Sequence, residues 1–139
     1  MSADQAPALT WLEFANADLA MAGIPLPEGA LYELLCFHAQ QAAEKAIKAV
    51  LIHCDLDFPF VHDLRLLANL FPADLRFAAE LSGIDELTPF AVTTRYPFSF
   101  RDSAVDKTEY DQAIRIANEV VSWATKVIAT SREQAAQEL

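Results

Sequence analysis

Apolar residues return at helical spacing in three long blocks of the chain. In the first, residues 8–22, Leu9, Leu12, Ala15, Leu19 and Ala22 recur three, four or seven residues apart. The second, residues 30–54, is the longest predicted helix and is packed with alanine. In the third, Tyr110, Ala113, Ile114, Ala117, Val120, Val121, Ala124, Val127 and Ile128 form a strongly amphipathic stripe, with Asp106 or Thr108 placed to cap its start. Seven prolines punctuate the chain, and proline is disfavoured inside helices, so the intervals between them are the candidate elements. Residues 61–71 predict a short helix beginning near His62-Asp63, residues 73–81 another, and residues 84–87 a shorter one. Alternation of period two is confined to Phe98-Ser99-Phe100, a short run beside Pro97. The pattern predicts an all-α fold, an up-and-down bundle of three long helices plus short helices. It predicts a single domain over residues 1–139, with a core at about residues 8–131 and frayed tails.

The middle block is the unusual one. Gln40, Gln41, Glu44, Lys45 and Lys48 fall within nine residues between Phe37 and Leu51. With residues placed about 100° apart, Leu31, Leu35, Cys36, Ala39, Ala42, Ala43, Ala46, Ala49 and Val50 share one broad arc. The other arc mixes Gln41, Glu44, Lys45 and Lys48 with Leu34, Phe37, Leu51 and Ile52. One reading is a solvated face, where the Glu44–Lys48 pair contributes only a few tenths of a kcal/mol. The other is a partly buried seam against another segment or subunit. Four large apolar residues among the polar ones favour the seam.

Charge sharpens this picture. The net charge is −10, which argues against a broad nucleic-acid surface, so nucleic acid is not an expected partner. Residues 1–60 hold eight carboxylates and two cations, and those cations are Lys45 and Lys48. No apolar run is long enough to span a membrane, and the N-terminus lacks a basic segment followed by an apolar block. The expectation is a cytoplasmic protein with reduced thiols. Cys36 and Cys54 would lie about 27 Å apart on one helix, far beyond disulfide reach.

The run Phe37-His38-Ala39-Gln40-Gln41-Ala42-Ala43-Glu44-Lys45-Ala46-Ile47-Lys48-Ala49 resembles the signature helix of HEPN domains (higher eukaryotes and prokaryotes nucleotide-binding). His62-Asp63-Leu64 and Arg95-Tyr96-Pro97 follow in the order that family uses, and the resemblance runs from about Trp11 to Ile128. It implies a helical bundle that is frequently a homodimer. Many small bacterial members are encoded beside a minimal nucleotidyltransferase in a two-component, toxin–antitoxin-like pair. The bundle is also similar to the helical domain of aminoglycoside nucleotidyltransferases. The resemblance therefore implies a nucleotide or partner site at Gln41, Lys45, Lys48, Arg95 and Tyr96, supported by Gln40, Glu44, His62 and Asp63. The lysines and Arg95 would donate to phosphate, Gln41 would supply amide hydrogen bonds, and Tyr96 an aromatic surface or phenolic donor.

Ribonuclease members of that family carry an arginine followed four to six residues later by histidine. Here the histidines are His38, His53 and His62, and the first arginine is Arg65, so that order occurs nowhere. No catalytic residue is assigned. The cysteines and histidines lack zinc-ligand spacing, so no metal is expected, and no glycine-rich phosphate loop exists. His62-Asp63 reads more simply as a helix start than as a dyad. For Arg95-Tyr96-Pro97 a structural role, with Arg95 pairing a carboxylate and Pro97 enforcing an extended exit, stands level with a functional one. Trp11 and Trp123 read as core residues.

The leading expectation is a non-catalytic subunit that forms a homodimer, has no fixed cofactor, and binds a nucleotide or a nucleotidyltransferase through the polar face of residues 30–54. The alternative is a purely structural homodimer module whose polar residues satisfy one another across an interface. An atypical ribonuclease comes third.

Overall fold

A computed structural model describes residues 6–93 and 104–137. Three long helices, α1 (Ala6–Ala22), α2 (Tyr32–His53) and α6 (Lys107–Gln137), carry the fold. Between α2 and α6 lie three one-turn helices, α3 (Leu64–Ala68), α4 (Ala73–Arg76) and α5 (Phe90–Thr93), and two 3-10 turns at Ala79–Leu81 and Ile84–Glu86. The described residues contain no strand. The all-α reading holds, and α2 is the central element, packed against α1, α6, α3 and α5.

Local chemistry explains most boundaries. Asp63 accepts from the Arg65 and Leu66 amides and starts α3. At α6 the Asp106 carboxylate accepts from the Glu109 amide (2.8 Å), while the Glu109 carboxylate reaches back to the Asp106 amide (3.5 Å), a reciprocal capping box. Pro27 to Ala30 form a turn closed by the Ala30 amide on the Pro27 carbonyl (3.0 Å), with Gly29 at φ 82°, where a side chain would be strained. Tyr110 Oη donates to the Ala22 carbonyl (2.6 Å), satisfying an acceptor that the end of α1 leaves open.

Three details differ from the sequence reading. Residues 73–81 do not form one helix: the turn breaks after Arg76, Phe77 stays exposed, and Leu81 enters the core from the separate 3-10 turn. So short a segment propagates only where packing holds it. Leu31, placed on the buried arc, is the exposed residue just before α2, whereas Leu51, placed with the polar residues, is fully buried. The second half of α2 is enclosed on nearly every side, which a two-sided wheel does not anticipate. Finally, α6 continues to Gln137, into the tail expected to fray. Phe98-Ser99-Phe100 lies outside the described residues.

The end of α2 stores some strain. The Leu56 amide bonds the Leu51 carbonyl (2.9 Å) and the Asp55 amide bonds the Ile52 carbonyl (3.0 Å), the paired bonds of a Schellman motif. Asp55 holds the left-handed position at φ 57°, where glycine is the usual residue, and its carboxylate sits at the negative end of the helix dipole. Asp55→Gly is therefore expected to stabilise the fold by about 1 kcal/mol, read as a higher urea midpoint at unchanged slope. A lower midpoint would mean that the Asp55 side chain contributes more than its backbone strain costs.

Candidate functional site on the polar seam of the central helix

Gln40, Glu44 and Lys48 lie one turn apart on α2, and all three are buried: 0%, 3% and 5% exposed. An isolated carboxylate there would be costly, so its partners decide whether the arrangement is stable. Glu44 Oε1 accepts from Gln40 Nε2 (2.9 Å) and from His62 Nδ1 (2.9 Å), while Oε2 accepts from Lys48 Nζ (2.9 Å). Gln40 Nε2 also reaches the His62 carbonyl (3.3 Å), and Gln41 Nε2 donates to Gln40 Oε1 (2.7 Å). Burial pushes the Glu44 carboxyl up; the hydrogen bonds from Gln40, Lys48 and His62, together with the Lys48 charge, outweigh it and leave the group below the ordinary glutamate range. The seam is thus a closed network around an ionised carboxylate.

A second cluster lies at the α1–α2 boundary. Asp18 accepts from Lys45 Nζ through one carboxylate oxygen and from His38 Nδ1 (3.0 Å) through the other. Around it the surface is apolar. Phe14 and Met21 flank Asp18 on α1, one turn to either side, and both are exposed, as are Leu31 and Leu34 before and within the first turn of α2. Helix α1 has almost no amphipathic bias: its apolar residues are spread around the whole circumference although one side alone is covered.

Of the residues that the sequence singles out, the fold joins Gln40, Gln41, Glu44, Lys48 and His62 in one network and places Lys45 in the adjoining one. Asp63 instead caps α3. Arg95 and Tyr96 lie outside the described residues. Asp18 was missed, although two antiparallel helices with two lysines on one made the carboxylates of the other candidate partners. Trp11, a core residue on the sequence pattern, is only half-buried, with the Lys48 ammonium 5.6 Å from its ring centre and 5.6 Å from that of Phe58.

The Cys54 thiol and His53, at the end of α2, are not activated for nucleophilic chemistry. Burial pushes the Cys54 thiol up, and Asp74 and Asp55 push it further, which disfavours the thiolate. Burial likewise holds His53 below the usual histidine range, against the opposing pull of Asp55. Cys36 and Cys54 form no disulfide. Among the described residues no three of His, Cys, Asp and Glu converge as metal ligands would, and no helix is long and apolar enough to cross a membrane.

Comparison with known proteins matches this architecture. The family model described as "HEPN domain" aligns with residues 8–128. The crystal structure of ST0689, an archaeal HEPN homologue, superposes with a TM-score of 0.68 at 28% identity, covering 87% of this chain and 97% of that one. The crystal structure of TT1696 from Thermus thermophilus superposes with a TM-score of 0.74 at 26% identity, covering 86% of this chain and 96% of that one. A search of curated proteins finds no match.

The Glu44 network has a measurable signature. Glu44→Gln leaves the Lys48 ammonium buried without a counter-charge and is expected to cost about 3 kcal/mol in urea unfolding at neutral pH. Adding Lys48→Met should recover more than half of that, since the orphaned charge is gone. Because the folded Glu44 pKa is depressed, its stabilisation is present in full above the ordinary value of 4.5 and is lost as pH falls through the folded value. The gap between wild type and Glu44→Gln should therefore narrow in acid; a gap independent of pH would show that the carboxylate is not ionised in the native state.

Proposed function

Since the chain belongs to the HEPN domain family, we propose that it is a non-catalytic HEPN subunit that works by association, pairing with a second copy of itself across the α1–α2 face. The observation that carries this reading is the exposed apolar row of Phe14, Met21, Leu31 and Leu34 around the Asp18–His38–Lys45 cluster. Each of these side chains is already about half covered, so burying the rest contributes about 1 kcal/mol, and the four together supply a useful part of a dimer's free energy. The absence of any arginine before a histidine in the sequence supports a role without ribonuclease chemistry.

In the fuller form of this proposal the pair docks a minimal nucleotidyltransferase in a toxin–antitoxin-like system and binds a nucleotide through Gln41, Lys45, Arg95 and Tyr96, with Lys48 supporting the site only by holding Glu44. Supporting the nucleotide is the partial exposure of Lys45 and Gln41 at the rim of the seam. Lys45 is the better phosphate donor, because its side chain is 24% exposed whereas that of Lys48 is 7% exposed and enclosed with Glu44.

Light scattering after gel filtration tests association: the wild type is expected to elute as a dimer, and Phe14→Glu with Leu34→Glu as a folded monomer. A monomeric wild type at high micromolar concentration would overturn the pairing. Thermal-shift assays with ATP, GTP, CTP and UTP test the nucleotide. A stabilising shift that Lys45→Ala removes is expected, and a shift that survives Lys45→Ala would take that lysine out of the site.

A further inference from the structure

Directly after the Schellman turn, the chain runs back past the C-terminal end of α2 and borders an open cleft of about 660 Å³. That is in the size range of small-molecule sites, and its walls are mostly apolar with a few convergent charged groups, as such sites usually are. Trp11 from α1 and Phe58 from the returning segment meet edge to face, with ring centres 6.4 Å apart. The Phe60 ring stands at the rim with nothing covering it, 102% exposed. Three charged residues line the cleft: Lys48, Asp55 and Asp57.

The sign of the cleft follows from their pairing. Lys48 is neutralised by Glu44 behind it. Asp55 and Asp57 are both exposed and have no ion pair among the described residues, so the mouth carries two uncompensated negative charges. Aromatic faces attract cations through the ring quadrupole, and Trp11 and Phe58 already hold one ammonium, that of Lys48, at cation–π distance. Phosphate would meet the opposite conditions: two carboxylates at the entrance and an inner lysine whose charge is spent.

We infer that this cleft is a binding site for a small organic cation, an alkylammonium or guanidinium compound. Its hydrocarbon body lies against Trp11, Phe58 and Phe60, and its charged head is held by Asp55 and Asp57. The inference does not rest on self-association, and the Phe14→Glu, Leu34→Glu protein should bind the same cation.

Agmatine, which has a guanidinium at one end and an ammonium at the other, is a suitable probe. In a nitrogen–proton NMR titration of the full chain, it is expected to shift the Trp11 indole and the amides of Asp55, Leu56, Asp57, Phe58 and Phe60 saturably. The uncharged 1,4-butanediol should leave them in place. Asp55→Asn with Asp57→Asn should weaken agmatine binding at least about tenfold, since two charge-assisted contacts are lost while asparagine still tolerates the left-handed backbone. Phe60→Ala, at a fully exposed position, should weaken it without altering the fold. The inference is overturned by no saturable shift up to about 10 mM, a millimolar range where affinity amounts to only a few kcal/mol. It is equally overturned if the diol binds as well as agmatine, if the Asp variant binds unchanged, or if ATP moves the same resonances more tightly than agmatine does.

Discussion

The Glu44 carboxylate is the constraint on which the middle of the molecule depends. A bare carboxylate so deeply buried would cost several kcal/mol, and its partners offset this only by being in place together. Two of them, Gln40 and Lys48, come from the turns before and after it on α2. The third, His62, comes from the segment after the helix and therefore ties that segment back along α2. The next residue, Asp63, starts α3, so one buried charge sets where the following helix begins. The same return of the chain sets Phe58 against Trp11 and so shapes the cleft.

The α1–α2 pairing illustrates a different division of labour. Ala8, Ala15 and Ala22 are buried at seven-residue spacing on α1, facing an α2 that is itself rich in buried alanine. Small side chains allow close approach but discriminate weakly between neighbouring registers. Asp18 supplies the discrimination, because it reaches both His38 and Lys45, seven residues apart on α2. Shifting α1 by one turn would break both contacts at once. A polar contact fixing register inside an apolar seam is a well-attested use of such groups.

Much of this was legible in the sequence because it is local. The three long helices, the Asp63 and Asp106 caps and the mixed polarity of residues 40–48 are all visible within a window of a few turns. Burial of the polar stripe was legible too, since large apolar residues among charges make a solvated face a poor account. What escaped depends on distant partners. No local pattern says that His62 reaches Glu44, that Asp18 takes both His38 and Lys45, or that Trp11 borders a cleft with Phe58. The wheel failed at Leu31 and Leu51 for a related reason: a central helix has different neighbours at its two ends, so no single buried arc describes it.

The two lysines of α2 make the point most sharply, for they are three residues apart on one helix and yet differ in what they can do. Lys48 is buried, and its Glu44 partner is held by two further donors. Taking Lys48 to an outside anion would strand a carboxylate in the interior, a loss that a single phosphate contact does not repay. Lys45 and Asp18 are covered less completely, with 24% and 14% of their side chains exposed against 7% and 5% for Lys48 and Glu44, so solvent screens their attraction more. Its Asp18 partner would keep the His38 contact after losing the lysine. Exchange of partners therefore costs less at Lys45 than at Lys48, which remains part of the framework that holds Glu44.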